Sequence, residues 1–133
     1  MAQRPNNVRY SKTHEWVRLE GSTATVGITD FAVEHLGELV FVDFPVAKGK
    51  KVERDANVAA VESVKAVGDV LSPVAGEVLE VNAGLSNDQN PLAKDPFGAG
   101  WMLKLKVAAG TKLADLMDAA AYQAFLDAGG AEH

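Results

Sequence analysis

With no cysteine among its 133 residues, the chain has no thiolate nucleophile, no disulfide framework and no thiolate zinc site. Any sulfur redox chemistry would have to come from an attached group. One lysine stands apart. Residues 58–61 and 66–71 are short apolar runs of strand length, with Glu62, Ser63, Val64 and Lys65 between them. Val64 and Lys65 are left to make the reversal, and neither accepts positive φ cheaply. The position therefore reads as kept for the lysine rather than for the turn. A lysine amine, with an ordinary pKa of about 10.4, is a good acceptor for an acyl group: amide formation removes the charge and places a new functional group on a flexible tether. The plain alternative for any one lysine is a solvated surface charge.

The other candidates are weaker. His14-Glu15 opens like a zinc-protease motif, but Arg18 stands where a second histidine is needed. His35 and Glu38 lie one turn apart, as an acid/base pair or as a solvated helix end. Gly98-Ala99-Gly100 does not continue into a dinucleotide fingerprint. An independent active site is not expected. The formal charge of −5, with no basic block, argues against a nucleic-acid surface and favours protein or small-molecule partners. No apolar run approaches the roughly 20 residues that span a bilayer, so no membrane role is expected. The first seven residues lack the apolar core of a secretory signal. A cytoplasmic location is expected, as in a bacterium, although a mature mitochondrial protein would look the same.

Around the lysine the chain reads as scaffold. At 14.1 kDa it fits one domain, residues 1–133 with a core over about 10–126. Residues 15–20 and 23–28 alternate around Gly21-Ser22, a hairpin with Val17, Leu19, Ala24, Val26 and Ile28 inward. Thr29 caps a short helix that Gly37 ends. A strand over 38–44 stops at Pro45, 50–53 is a short edge strand, and 76–81 resumes after Ser72-Pro73. Residues 37–43 and 76–82 share a Gly-Glu start and a Val in sixth place, a weak repeat suggesting two similar half-sheets. Residues 82–100, rich in Asn, Asp, Gly and Pro, read as a long surface loop, and 101–107 as the last strand. Leu113, Leu116 and Met117, then Tyr122, Phe125 and Leu126, fall at helical spacing, with Asp118 a cap between two short helices. The fold class is mainly β: a flattened barrel or sandwich of two small antiparallel sheets with short peripheral helices.

Glu62-Ser63-Val64-Lys65-Ala66, with Asp69, Ser72-Pro73 and Gly76-Glu77-Val78, closely resembles the lipoyl-lysine segment of the glycine cleavage system H proteins. The blocks His14-Glu15-Trp16-Val17, Val26-Gly27-Ile28-Thr29-Asp30, His35-Leu36-Gly37-Glu38 and Gly100-Trp101 resemble that family in the same order. The resemblance implies a barrel-sandwich fold like that of lipoyl domains, and a monomeric carrier with no catalysis of its own. It implies lipoic acid in amide linkage to Lys65, with Glu62, Ser63, Val64 and Ala66 as the segment that a lipoate ligase or lipoyltransferase reads. By the same resemblance, Glu15, His35, Asp69 and, less strictly, Thr13 line a cleft for the loaded arm. Exposed strand and turn acids are the alternative for Glu15 and Asp69. The implied partners are glycine decarboxylase, an aminomethyltransferase and dihydrolipoyl dehydrogenase.

The sequence departs from the family pattern in places. The stretch from Pro45 to Lys65 is one residue longer than usual, with Arg54-Asp55 where a small-residue turn is common, and Phe97 replaces a frequent Tyr. A biotin carrier would have Met on both sides of the lysine, where Val64 and Ala66 stand. A dehydrogenase lipoyl domain is shorter and carries linkers. A relay that passes lipoate to other enzymes would share every motif here.

Overall fold

The computed structural model describes residues 4–108, 113 and 115–130. Among the described residues, nine strands form two antiparallel sheets. The strands are β1 (Arg9–Tyr10), β2 (Glu15–Glu20), β3 (Thr23–Ile28), β4 (Leu39–Asp43), β5 (Lys51–Val52), β6 (Asn57–Ser63), β7 (Val67–Leu71), β8 (Gly76–Val81) and β9 (Leu103–Lys106). A six-stranded sheet runs β1-β2-β3-β9-β8-β5 and a three-stranded sheet runs β4-β6-β7. The two segments of the sequence repeat fall in different sheets, as β4 and β8, but the sheets are unequal because the N-terminal hairpin and β9 extend only one of them.

The hairpin over 15–28 pairs in full register from Glu15↔Ile28 to Glu20↔Thr23, with Gly21 at positive φ in its turn. Alternation sends Val17, Ala24, Val26 and Ile28 into the core between the sheets, where Val42, Val61, Val78 and Leu105 meet them. The opposite face of β2 is also covered. Trp16 is fully buried in a second cluster with Val8, Tyr10 and Tyr122, and its indole N–H reaches the carbonyls of Ile28 and Pro96, both at 3.1 Å. Gly27 pairs with Trp16, and a Cβ there would stand 2.7 Å from the indole; the glycine makes room for the ring.

Helix α1 (Asp30–Leu36) begins at Thr29, whose hydroxyl accepts from the Ala32 N–H, and ends at Gly37 with φ of 83°. Asp118 caps α3 (Ala119–Phe125) in the same way. The C-terminal expectation holds only in part. Leu113 and Leu116 pack on the main core, but the described residues of that stretch form a turn, closed by Leu116 N–H to the Leu113 carbonyl at 3.0 Å, rather than a helix. Met117 pairs with Tyr10 in an isolated bridge, because the strand edge offers hydrogen bonds that a helix there would forgo.

The long loop is corrected too. Residues 82–100 contain a 3-10 turn (Ala83–Ser86) and helix α2 (Asn90–Lys94), which Pro91 opens. Leu85 and Leu92 are buried beneath them. In the β5–β6 connection Asp55 has φ of 69°. Asp is among the few side chains that tolerate such a left-handed conformation.

Candidate functional site

The Lys65 turn is tighter than its residue types suggest. Ser63 N–H donates to the Ala66 carbonyl at 2.8 Å, and none of residues 63–66 has positive φ. A side chain takes over the closing bond instead. The Ser63 hydroxyl accepts from the Ala66 N–H at 3.0 Å and donates to the Ala66 carbonyl at 3.1 Å. Val64 N–H donates to the Glu38 carbonyl at 2.9 Å, tying the tip to the link between α1 and β4. These bonds explain how Val and Lys occupy a reversal that ordinarily wants glycine or asparagine. Val64 and Lys65 are exposed, and among the described residues Lys65 enters no ion pair. A Cβ built on Gly37 would lie 3.7 Å from Lys65 Cε, so the lysine stem passes over the C-terminus of α1. Glu62, also exposed, sits between Phe41 and Val67 in register.

Beside the turn opens a cleft of about 430 Å³. Thr13, Glu15, His35, Asp69 and Ala66 all line it, with apolar walls that include Ile28, Leu36, Val61 and Val70. Lys65, Glu62, Ser63 and Val64 are outside the lining, on the turn and the strand leading to it. Position in the sheet accounts for Glu15. It is on the same face of β2 as Val17, at the end where the core gives way to the cleft, and it is 1% exposed. The reading of Glu15 as an exposed strand acid is thereby overturned, whereas Asp69 is exposed on the edge strand β7. Ser11 donates to the Glu15 carboxylate at 2.7 Å, the Thr13 hydroxyl donates to the same oxygen, and Leu71 N–H donates to the other at 3.2 Å. The last bond joins the two sheets. Burial pushes the Glu15 pKa up, and the bonds from Thr13, Ser11 and Leu71 only partly offset it. His35 stacks on Phe31 at 5.9 Å.

Two residues near the cleft were not anticipated. Ser11 both holds the Glu15 carboxylate and accepts its N–H at 3.0 Å. His14 lines the cleft, takes φ of 70° and is buried. His is one of the few residue types enriched in the left-handed region, but nothing in the local sequence marks the position as a turn.

The family model for glycine cleavage H-protein matches residues 8–129. This chain belongs to that family. It is 46% identical to the glycine cleavage system H protein of Bacteroides fragilis over 93% of this chain and 98% of that one. The relative from Chlorobium luteolum is 49% identical over 90% of this chain and 94% of its own. The mitochondrial H protein of Flaveria anomala is 46% identical over 96% of this chain and 78% of its own. A crystal structure of the H protein from Mycobacterium marinum superposes with a TM-score of 0.84 at 34% identity, covering 93% of this chain and 99% of that one. Its fold is the two-sheet, lipoyl-domain-like arrangement described above. The chain is accordingly a lipoyl-lysine carrier of the glycine cleavage system that shuttles glycine-derived groups, and a non-catalytic subunit.

Proposed function

We propose that Lys65 is the lipoylated residue, that Glu62, Ser63, Val64 and Ala66 form the segment read by the lipoate-attaching enzyme, and that the cleft shelters the loaded arm. The whole chain acts as one carrier domain. The observation that carries this reading is the juxtaposition of an exposed lysine, on a turn held by side-chain bonds, with a cleft whose lining includes a buried carboxylate. The fit to a lipoyl arm is good. A volume of about 430 Å³ is that of a small-molecule site, its apolar walls suit an alkyl chain, and Glu15 suits a cationic end.

When attached, the dithiolane supplies sulfur that takes up the aminomethyl group of glycine and gives up reducing equivalents afterwards. Everything else falls to the protein. Lys65 provides reach, because its turn is anchored while its stem is free. Glu15, already desolvated and without a described cation beside it, gains a charge-assisted bond when a protonated amine enters. The apolar walls exclude water from a carbon that hydrolyses readily in the open. Thr13, His14, His35 and Asp69 complete the polar part of the lining.

The partners proposed are glycine decarboxylase as donor of the one-carbon unit, an aminomethyltransferase as acceptor, dihydrolipoyl dehydrogenase for reoxidation, and a lipoate ligase or lipoyltransferase for loading. The relatives are both bacterial and mitochondrial. Lys65→Arg keeps the charge but offers no acylable amine. With lipoate supplied, intact-mass analysis should find one lipoyl group on the wild type, peptide mapping should assign it to Lys65, and the variant should carry none while keeping its melting temperature. A lipoyl group on another lysine would sink the assignment.

A further inference from the structure

Tyr122 stands on α3, outside the cleft lining, yet it is bonded to elements on two sides of the cleft. Its hydroxyl lies 2.7 Å from His14 Nδ1 and 2.8 Å from Thr29 Oγ1, all buried. Thr29 is the cap of α1, the helix that carries His35 and Leu36 into the cleft wall. His14 is the left-handed residue between Thr13 and Glu15, both in the lining. A backbone bond closes the triangle, with Thr29 N–H donating to the His14 carbonyl at 3.0 Å. Non-glycine residues in the left-handed region cost free energy and persist only where their surroundings hold them. Here the hold on the His14 ring comes from a helix more than a hundred residues away in sequence. Burial keeps the Tyr122 hydroxyl protonated at any physiological pH, with its pKa pushed up to about 12, so it remains able to bridge both partners. The ring is itself pinned by stacking on Tyr10 at 4.7 Å and by the Arg4 guanidinium at 5.2 Å, with Arg4 also paired to Asp30 at 2.9 Å.

We propose that Tyr122 is a positioning residue: through its hydroxyl, the C-terminal helix sets the relative placement of the Thr13–Glu15 loop and α1, and thereby the shape of the cleft that retains the cargo. This rests on the reading of the cleft as the shelter of the loaded arm. The C-terminal helix is then part of the carrier's working site and not only a cover for Trp16.

Tyr122→Phe tests it, because the ring and its stacking survive while both hydroxyl bonds are lost. Tyr10→Phe is the matched control; it removes a buried-cluster hydroxyl that donates to the Pro5 carbonyl at 2.7 Å and touches neither His14 nor Thr29 through hydrogen bonds. In the unloaded protein, amide hydrogen exchange at residues 11–15 and 29–32 should rise on the order of tenfold in Tyr122→Phe and stay at the wild-type level in Tyr10→Phe. Thr29→Ser, which keeps the hydroxyl, should match the wild type. In loaded protein, non-enzymatic release of ammonia and formaldehyde should quicken several-fold in Tyr122→Phe alone, with lipoylation unchanged. Unchanged exchange in Tyr122→Phe overturns the proposal, as does an equal rise in both Phe variants, which would mark a purely structural tyrosine. Glu15→Gln separates the two ideas. Should it retain cargo as the wild type does, the shelter reading fails, and the exchange measurement still judges Tyr122 by itself.

Discussion

Glu15 is a carboxylate placed where water is scarce and no described basic side chain pairs with it. Three hydrogen bonds hold it, two from hydroxyls and one from the Leu71 amide. Its folded pKa lies above the ordinary value of 4.5, so the folded state binds its proton more tightly than the unfolded chain does. By linkage, protonation of this group adds stability as pH falls through the folded pKa, and the gain is complete below 4.5, where both states are protonated. Ionised Glu15 therefore weakens the fold near neutrality. Glu15→Gln is the neutral comparison. The stability of wild type minus variant, from urea midpoints across pH, should rise as pH drops from 7 and flatten below about 4.5. A difference that falls over the same range would mean that the site stabilises the anion even without a cargo amine.

At the scale of the element, the lysine turn depends on one hydroxyl. The Ser63 side chain completes the reversal at Ala66, while the bond from Val64 to Glu38 fastens the tip to the link between α1 and β4. Replacing Ser63 by Ala removes the first anchor and leaves the second. A neutral hydrogen bond of this kind contributes about 1 kcal/mol, so the variant should fold and melt only a few degrees lower. Its loading should suffer more than its stability. In a lipoate ligase assay, kcat/KM for Ser63→Ala should fall several-fold, and Ser63→Thr should recover it. Equal loading of wild type and Ser63→Ala would show that the modifying enzyme imposes its own geometry on the tip.

For the molecule as a whole, two sheets share one core, and close backbone approaches decide where substitutions are tolerated. A Cβ on Gly76 would lie 2.6 Å from the Lys106 carbonyl oxygen, a backbone atom, and 3.3 Å from Leu105 Cβ and Val107 Cγ1. The strands that would have to part are β8 and β9, neighbours inside the larger sheet. Gly84, in contrast, would meet only Asn82 Oδ1, at 3.9 Å. Gly76→Ala should therefore cost about 2 kcal/mol or more, lowering the melting temperature by roughly 5 to 10 °C. Gly84→Ala should shift it by no more than about 2 °C. Thermal melts of the two variants side by side test this, and similar shifts would mean that the β8–β9 ladder yields more readily than its geometry suggests.

Several features were legible from the chain because their causes are local. Alternation fixed the inward face of the 15–28 hairpin, Thr29 and Asp118 announced their helices by the chemistry of capping, and the residues around Lys65 carried the family pattern. Tertiary structure decided the rest. An outward residue on a strand looks the same in sequence whether water or a helix covers it, so the burial of Trp16 under a cluster completed by Tyr122 had no local sign. The same holds for Leu85 and Leu92, apolar residues within a polar stretch that pack only once the 3-10 turn and α2 form. Met117 found a partner in Tyr10 across the fold and gave up the helix its spacing suggested. The site divides in the same way: the proposed attachment lysine stands out by sequence, but burial of Glu15, the left-handed His14 and the reach of Tyr122 depend on long-range contacts that no periodicity encodes.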